Sequence, residues 1–555
     1  MSNHRSVVAA SLALLLLGAA ARAGVLPIEQ SQLHINASEG GFTGTLGPND
    51  VFGSSVAVLG DLDGNGFDDL AVGAPGSGTP PGGAVWILFR ASDGTVESQV
   101  RLDASTTTLP LNGADGFGRS LALLGDLDDD GNVELAVGAD NWGPSTLFGA
   151  GAVFVLTIKF DGSVAGWTQL SEGVGGVPGP ATFTGFGNAV AAAGDFDDDG
   201  VMDVAVTDTS GAGNGQVIWL LALAADGTAL SATPVTPADP AFGGLVASDD
   251  RFGAALACVA DLDGDGTDEL AIGAPTTGAQ NKGAVWLAFL QPGPVVASAV
   301  RITADEDGLV GPLEDAAWFG ASLACADVDG DGLVNLVVGT PFGDNAGGTT
   351  TGSGGAWILD LDVAGLVTGQ AQIADASAAF AGPLDADDQF GTSLALLPDT
   401  NGSHSIVAGA RGDGGSFVFA PGAVWVLDLV YHEAWTNLGN ALAGIDGEPL
   451  LEGHGLLTAG SAGSFELTHA APGVFTTLII GFFELDLPLK GGIIVPSPDL
   501  LILGLPTNGA GEFSLPFLWP AGLPGGLALY FQSWIPDATG PLGFAASNGL
   551  RGVTP

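Results

Sequence analysis

A unit of roughly constant length repeats along this chain and constrains its fold more than any other feature. Each unit opens with the dipeptide Phe-Gly. The six dipeptides begin at Phe52, Phe117, Phe186, Phe252, Phe319 and Phe390, which lie 65, 69, 66, 67 and 71 residues apart. Self-similarity at a fixed period indicates a repeat architecture, in which each unit buries its apolar face against the next. The sequence therefore predicts a series of similar, mutually packed units.

The first five units carry an acidic nonapeptide with oxygen-bearing side chains at positions 1, 3, 5 and 9 and glycine at position 6. Ca²⁺ takes six to eight oxygen ligands from carboxylates, amides, backbone carbonyls and water, so we expect calcium at four or five of these loops. Position 7 completes the predicted set through its backbone carbonyl. The predicted ligands are Asp61, Asp63, Asn65, Phe67, Asp69; Asp126, Asp128, Asp130, Asn132, Glu134; Asp195, Asp197, Asp199, Val201, Asp203; Asp261, Asp263, Asp265, Thr267, Glu269; and Asp327, Asp329, Asp331, Leu333, Asn335.

Two other interpretations of these loops fit the sequence less well. An EF-hand requires Glu at position 12, where the chain has Val72, Val137, Val206, Ile272 and Val338. Ordinary solvated turns also favour Asp, Asn and Gly, but five repeats of the same spacing favour metal binding. Short apolar runs bounded by glycine flank each loop, such as Ser55-Val-Ala-Val-Leu before the first and Leu70-Ala-Val-Gly after it. These runs predict that each loop joins two antiparallel strands.

A third and a fourth strand are predicted in most units. The third begins with Gly-Ala-Val-Trp or a close variant, as at Gly83 and Gly283, and the fourth follows, as in Ser98 to Ser105. Four strands per unit, repeated radially, are typical of a β-propeller. Phe-Gly, the acidic nonapeptide and Gly-Ala-Pro, in this order over roughly residues 28 to 430, resemble the FG-GAP repeat family. Its best known members form the headpiece propeller of integrin α subunits, and it also occurs in secreted bacterial proteins, the type expected here.

The resemblance implies an all-β chain in which each repeat is one blade and the calcium loop joins the first two strands. We count six blades, with seven as the alternative because integrin propellers have seven. The sixth unit ends after its third strand, while Ser31 to Ser38 matches the fourth-strand segment Ser98 to Ser105 position for position. We therefore predict that this N-terminal strand completes the sixth blade and removes the open edge.

The fifth and sixth loops depart from the pattern. Asn335 replaces an acid at position 9 of the fifth loop, so its calcium affinity should be the weakest. The sixth loop offers only Leu397, Asp399, Asn401 and Ser405, and we expect no calcium there.

Three segments are predicted in chain order. Residues 1–23 read as a secretory signal, with His4 and Arg5 before an apolar run and Ala21-Arg-Ala23 before the cleavage point. Residues 24–432 form the propeller. Residues 433–555 lack acidic loops and predict a β-sandwich, in which Trp519 and Trp534 serve core packing or, alternatively, glycan contact.

Composition agrees with an exported acidic protein. The formal net charge is −50, with 12 Lys and Arg against 62 Asp and Glu, so nucleic acid and anionic membranes are poor partners. No membrane span is predicted downstream of the signal, and we expect a secreted or cell-surface monomer. Extracellular calcium modules bind in a concentration range that suits this compartment.

Two short features have competing interpretations. Cys258 and Cys325 occupy equivalent positions on first strands, which favours unpaired core thiols over a disulfide between neighbouring blades. Arg411-Gly-Asp413 is the tripeptide that integrins recognise rather than display, and its position at the Gly-Ala-Pro landmark favours coincidence.

Two functions remain from the sequence. One is a non-catalytic scaffold that binds an extracellular protein or glycan ligand, as the integrin resemblance implies, with Ca²⁺ bracing the hairpins. The alternative is an accessory or catalytic component of an extracellular hydrolase or glycan-processing system. The chain has neither a Gly-x-Ser-x-Gly nor a His-Glu-x-x-His motif, and its five histidines beyond the signal are scattered, so we predict no enzyme activity.

Overall fold

A computed structural model describes residues 26–78, 82–143, 149–179, 184–209, 216–278, 280–304, 309, 313–329, 333–343, 352–374, 384–398, 404–414, 420–432, 435–454, 462–519 and 527–553. The predicted signal peptide lies outside these residues. Two compact units are present, Pro27–Val430 and Tyr431–Pro555. Among the described residues, no helix combines the length and apolar character needed to cross a bilayer.

Six four-stranded sheets make up the described part of the first unit, and strands that follow one another within a sheet are antiparallel. Strand β1 (Leu26–Ile35) comes first in the chain. The next three sheets are β2 (Ser55–Gly60), β3 (Asp69–Ala74), β4 (Ala84–Arg90), β5 (Val96–Leu102); β6 (Phe117–Gly125), β7 (Val133–Ala139), β8 (Ala152–Ile158), β9 (Val164–Leu170); and β10 (Val190–Ala192), β11 (Val204–Asp208), β12 (Val217–Leu223), β13 (Ala229–Val235). The remaining strands are β14 (Leu256–Val259), β15 (Glu269–Ala274), β16 (Ala284–Gln291), β17 (Val295–Ile302); β18 (Leu323–Ala326), β19 (Asn335–Gly339), β20 (Gly355–Leu361), β21 (Val367–Ala374); and β22 (Phe390–Pro398), β23 (His404–Ala410), β24 (Ala423–His432). A short 3₁₀ helix, Pro240–Phe242, precedes the fourth sheet.

Burial explains why these segments form strands. The second and third strands are covered on both faces, so β3 and β4 are buried along their whole length and read as continuous apolar runs. The fourth strand is partly exposed, and in β5 polar side chains face solvent between buried ends. Each sheet therefore presents its inner strands to its neighbours and its fourth strand to water.

Parallel backbone bridges join neighbouring sheets at the Phe-Gly dipeptides of the first, second, third, fifth and sixth units. The six phenylalanines are fully buried. Phe117 forms a parallel bridge with Gly83 of the preceding unit, and the same bridge recurs between Phe52 and Gly422, which connects the sixth sheet to the first. Glycine is required after the phenylalanine on steric grounds, because Gly53 has a φ of 85° and a Cβ there would lie 2.2 Å from the carbonyl oxygen of Ala423.

The N-terminal strand occupies the predicted place. The sheet order is β1-β24-β23-β22, so β1 supplies the fourth strand of the sixth sheet. A shared apolar core continues across this junction, with Val424 and Val426 of the sixth sheet packed in one cluster with Val72 and Trp86 of the first. The predicted pairing of the N-terminal strand with the sixth sheet is confirmed, and the number of blades stays a prediction.

The second unit is also all-β. Its strands are β25 (Trp435–Gly439), β26 (Leu450–His454), β27 (Ala462–Thr468), β28 (Phe475–Gly481), β29 (Glu484–Leu489), β30 (Gly492–Pro496), β31 (Leu500–Pro506), β32 (Phe513–Leu518), β33 (Ala528–Pro536), β34 (Phe544–Ala546) and β35 (Gly549–Val553), with a 3₁₀ helix at Pro541–Gly543. One sheet has the order β25-β35-β33-β28-β31, with β34 beside β33; a second has the order β26-β27-β32; and β29 pairs with β30. The first two sheets share one core, which includes Phe465, Trp519 and Phe531. Trp519 and Trp534 are both buried, which fits core packing and not a glycan-binding surface.

Candidate metal centres

The first acidic loop shows how the sequence builds a cluster of carboxylates. Strand β2 ends at Gly60, and the loop turns back into β3, which begins at Asp69. The two oxygens of Asp61 accept hydrogen bonds from the backbone N–H groups of Asn65 (2.9 Å) and Gly66 (2.8 Å). These bonds hold the loop curled around the Asp61 carboxylate, and Gly66 has a φ of 92° that favours glycine.

Convergence of the acidic side chains is the decisive feature. One ligand atom from each of Asp61, Asp63 and Asp69 lies within 4.8 Å of the other two. The same holds for three further groups, Asp126, Asp128, Glu134; Asp195, Asp197, Asp199; and Asp261, Asp263, Asp265. Four of the five predicted loops thus bring three carboxylates together. The sets differ, because position 9 completes the first two groups and position 5 completes the other two.

Position 9 anchors the loop to the sheet. Asp69 is fully buried, and its oxygens accept hydrogen bonds from Leu62 N in the loop (3.0 Å) and Arg90 N at the end of β4 (2.9 Å). Asp203 repeats the arrangement with Phe196 N (3.0 Å) and Leu223 N (2.8 Å). A single carboxylate therefore connects the acidic loop, the second strand and the third strand.

The electrostatics of position 9 are unfavourable for an isolated carboxylate. Burial raises the pKa of Asp69 to about 6, and the nearby Asp63 and Asp61 add to the rise. Burial likewise raises the pKa of Asp203 to about 7 and that of Glu269 to about 7. A cation beside these groups would favour their ionised forms.

The donor set fits a hard cation. Glu269 Oε2 accepts a hydrogen bond from Leu262 N (2.9 Å), but its buried Oε1 has no hydrogen-bond partner in the described part of the chain. A buried oxygen without a donor is costly, and a metal ion would satisfy it. Carboxylate oxygens on a glycine-containing turn favour Ca²⁺ over softer metals, which prefer sulfur and nitrogen ligands.

Some predicted ligands are oriented differently. Asp130 lies outside its cluster, and its Oδ1 accepts hydrogen bonds from the backbone and side-chain nitrogens of Asn132. Asn65 Oδ1 accepts a bond from Phe67 N (2.8 Å), and its Nδ2 donates to Arg90 O (2.8 Å). The backbone carbonyls of position 7, at Phe67, Asn132, Val201, Thr267 and Leu333, remain predicted ligands.

The fifth loop is only partly described, since Asp331 lies outside the described residues. Asn335 Oδ1 accepts a hydrogen bond from Val328 N (2.7 Å), and its Nδ2 donates to Asp360 Oδ1 on β20 (2.9 Å). In the sixth unit, Asp399 and Asn401 also lie outside the described residues, Leu397 is buried, and Ser405 donates to Asp428 Oδ1 on β24 (2.7 Å). Asp360 and Asp428 were missed by the sequence reasoning, although each lies three residues after the Trp of its third strand.

The two short features with competing interpretations have clear outcomes. Cys258 and Cys325 are free thiols, as favoured, and burial raises the pKa of Cys325 to about 12. Both are nevertheless partly exposed, so this position of the first strand is less enclosed than expected for a core thiol.

The Arg411-Gly-Asp413 tripeptide bonds other residues of the propeller unit. Arg411 donates through Nε to Gln389 (2.7 Å), and Asp413 bonds His34 (2.8 Å). The tripeptide is thus engaged internally, in agreement with coincidence.

Comparison with known proteins now identifies the repeat. The family model described as FG-GAP repeat matches residues 52–88, 117–156 and 252–287, each from Phe-Gly through the acidic loop into the third strand. The chain contains FG-GAP repeats. The acidic loops at Asp61, Asp126 and Asp261 fall within these FG-GAP matches.

Integrin α subunits are among the curated relatives. Integrin alpha-PS5 of Drosophila melanogaster is 42% identical over 89 residues, covering 16% of this chain and 9% of the relative. Integrin alpha-5 of Xenopus laevis is 32% identical over 166 residues (28% and 14%), and integrin alpha-IIb of Homo sapiens is 42% identical over 90 residues (16% and 8%). The aligned part spans less than a fifth of each relative. These relatives are animal proteins, and the bacterial type stays a prediction.

One solved structure, described as "Structure of Dos1 propeller", is 14% identical and covers 89% of this chain and 95% of that chain, with a TM-score of 0.30.

Proposed function

We propose that this protein is a secreted scaffold whose FG-GAP propeller binds an extracellular protein or glycan ligand, with Ca²⁺ bracing the hairpins of four or five blades. The observation that carries the proposal is the recurrence of one arrangement, a three-carboxylate cluster at the turn between the first two strands, in four separate blades. A repeated cluster at equivalent turns is suited to bracing a repeated structure. A single reaction centre would need only one such site.

Bracing follows from what the cluster connects. Asp61 and Asp63 hold the turn, while the buried Asp69 reaches Leu62 N and Arg90 N. A bound calcium ion supplies positive charge among these carboxylates. The side chains would then fix the hairpin to the third strand without mutual repulsion, and the surface of the propeller would keep one shape for its ligand.

The enzyme alternative has one observation in its favour. A cavity of about 440 Å³ in the sixth blade is lined by His34 and by Glu39, Asp385, Asp388 and Asp413. However, both ring nitrogens of His34 contact carboxylates, and the face of the ring stacks on Trp425. A general base needs a nitrogen within reach of its substrate, so this geometry favours a structural role.

The function is tested with the full-length mature chain on arrays of extracellular proteins and glycans, in 2 mM CaCl₂ and after chelation. We expect capture of a ligand class in calcium and weaker capture after chelation, together with a lower melting temperature. Absence of calcium uptake in titration calorimetry would refute the bracing role. Turnover of an arrayed glycan, abolished in His34→Gln, would support the enzyme alternative instead.

A further inference from the structure

We propose that His34 is a pH-operated latch at the seam of the propeller, where the N-terminal strand β1 closes the sixth sheet. The latch is fastened while the imidazole is protonated and loosens as that proton leaves. This inference is independent of calcium binding, because none of the residues involved belongs to an acidic loop.

The position of His34 is defined by its counterparts in other blades. In the first sheet Arg101 on β5 pairs in register with Trp86 on β4, and its guanidinium carbon lies 5.6 Å from the centre of the Trp ring. In the fourth sheet Arg301 lies over Trp286 at 5.8 Å. His34 occupies the corresponding position on β1 and stacks on Trp425 of β24, with 4.1 Å between ring centres and 10° between planes. The seam alone among these three stacks uses a cation that titrates near neutral pH.

The residue that bonds the cation also differs between the first blade and the seam. Arg101 Nη2 donates to Ser77 Oγ (3.1 Å), which lies three residues beyond Ala74 at the end of β3. The residue three beyond Ala410, at the end of β23, is Asp413, and its Oδ2 lies 2.8 Å from His34 Nε2. Arg101 also pairs through Nε with Asp103 Oδ2 (2.9 Å), so a permanent cation with one carboxylate and one hydroxyl partner has been replaced by a titratable cation between two carboxylates.

Both ring nitrogens of His34 are engaged. Nδ1 lies 2.9 Å from Glu39 Oε2, on the side opposite to Asp413. Only the imidazolium can donate a proton to each carboxylate, since the neutral ring keeps a lone pair on one nitrogen. Deprotonation therefore removes one of the two bonds and places a lone pair against a carboxylate oxygen. Asn36 Nδ2 lies 3.5 Å from Nδ1 and 3.4 Å from Nε2, at the long limit of a hydrogen bond, and compensates only weakly for that loss.

The charges that face His34 come from three segments. Glu39 follows β1, Asp413 follows β23, and Asp385 and Asp388 precede β22; the residue presented by β24 is the uncharged Trp425. Burial alone would lower the pKa of His34, but hydrogen bonds to Asp413 and Glu39 and their charges raise it. Burial also raises the pKa of Asp388 to about 7, with Asp413 and Asp385 adding to the rise.

The sign of the pH effect follows from these shifts. A histidine whose folded pKa is raised contributes stability that is complete below its unfolded value of about 6.5 and is lost as the pH rises through the folded pKa. Over the same range Asp388 becomes ionised. The pocket thus loses one positive charge and gains one negative charge among carboxylates, and both changes loosen the attachment of β1.

The latch is tested by hydrogen exchange, read by mass spectrometry on the full mature chain in saturating Ca²⁺ between pH 6 and pH 8.5. After correction for the intrinsic exchange rate, we expect exchange in β1 to rise roughly tenfold relative to β5, the equivalent strand of the first blade. Proton NMR should show the His34 ring titrating above the ordinary histidine value. An unchanged ratio, or a His34 pKa at or below about 6.5, would overturn the proposal.

Three variants separate the latch from general stability. His34→Arg restores the arrangement of the first blade and should leave only the weaker pH dependence that Asp388 contributes. His34→Gln is neutral throughout, so its ratio should be high already at pH 6 and should rise less with pH than in the wild type. Arg101→His is the matched control and should leave the exchange rate of β1 itself unchanged. If His34→Arg fails to fold, a ratio that is high at pH 6 in His34→Gln still supports the latch, and a wild-type-like pH dependence in that variant contradicts it.

Discussion

Replacement of Asp69 by asparagine tests whether Asp69 is a metal ligand or an ordinary turn residue. The substitution keeps the size of the side chain, removes one negative charge and turns one acceptor oxygen into a donor. In the calcium-free protein, two effects oppose each other. The rise of the Asp69 pKa from 3.8 to about 6 means that its ionised form costs about 2 kcal/mol near pH 8, once partial screening is allowed for.

The Asp69→Asn variant removes that cost and is stabilised to the same extent. The opposing effect is that its amide offers one acceptor oxygen to two backbone donors, Leu62 N and Arg90 N. Leaving one of them without an acceptor costs roughly 1–3 kcal/mol. The two terms nearly cancel, so the calcium-free variant should match the wild type within about 1 kcal/mol. In 10 mM Ca²⁺ each filled site of extracellular type stabilises the fold by about 1.4–2.7 kcal/mol, and the variant should lose most of one such contribution.

The assay combines isothermal calorimetry with scanning calorimetry of the wild type and variant, each with and without calcium. We expect one site fewer in Asp69→Asn and a melting temperature lower by roughly 2–3 °C only when calcium is present. Asp93→Asn is the matched control, because exposed Asp93 caps another hairpin of the same sheet through Thr95. Equal destabilisation of Asp69→Asn with and without calcium, at unchanged stoichiometry, would refute the reasoning.

Three further outcomes are expected. In metal-free protein the unfolding free energy should fall as pH rises from 4 to 8. The reason is that the raised pKa of Asp203, about 7, makes the folded state hold its proton more tightly than the unfolded state. Denaturant titrations should show a weaker dependence of the unfolding free energy on pH when calcium is present. Gly53→Ala should cost roughly 3 kcal/mol or more, since φ is 85° and the new Cβ would meet a carbonyl, whereas Gly60→Ala, which meets nothing within 4 Å, should cost roughly 1 kcal/mol by the same denaturation assay. Asn335→Asp should destabilise the fifth sheet by placing a carboxylate against Asp360, and Asp360→Asn should rescue the melting temperature of the double variant.

The repeat made much of the fold predictable. A strand buried on both faces, such as β3 or β4, must be apolar throughout, so its sequence is recognisable without knowledge of its neighbours. The position of β1 was predictable from the repeat as well, because Ser31 to Ser38 matches the fourth-strand segment Ser98 to Ser105 position for position. The acidic clusters followed from local spacing, because all their members lie within nine residues.

Contacts between distant segments were not predictable from the repeat. His34 and Asp413 lie 379 residues apart, and neither belongs to the consensus of its unit. The partial exposure of Cys258 and Cys325 was missed because an alignment of first strands shows the preferred residue type but not how closely the neighbouring sheet covers it. Even within a loop, the spacing did not predict the orientation of Asp130, because the side chain of Asn132 competes for its oxygen.

The fifth and sixth blades show how the fold retains a carboxylate when its loop loses one. Their position-9 residues, Asn335 and Ser405, are neutral, and each donates to an Asp on the third strand, Asp360 or Asp428. The corresponding third-strand residues in the other four blades are Phe89, Thr157, Ala222 and Phe289, which are uncharged. The acid has therefore moved from the second strand to the third, where it still connects the two strands.

That exchange separates two roles which a single residue, Asp69 or Asp203, fills in the first and third blades. A position-9 acid both connects the strands and contributes charge beside the loop, whereas Asp360 and Asp428 connect the strands from the third-strand side. Asp428 also accepts a hydrogen bond from Ser31 of β1, so in the sixth blade the displaced acid joins three strands at the seam. In the sixth blade, carboxylates outside the loop therefore secure the N-terminal strand, through Asp428 to Ser31 and through Asp413 to His34.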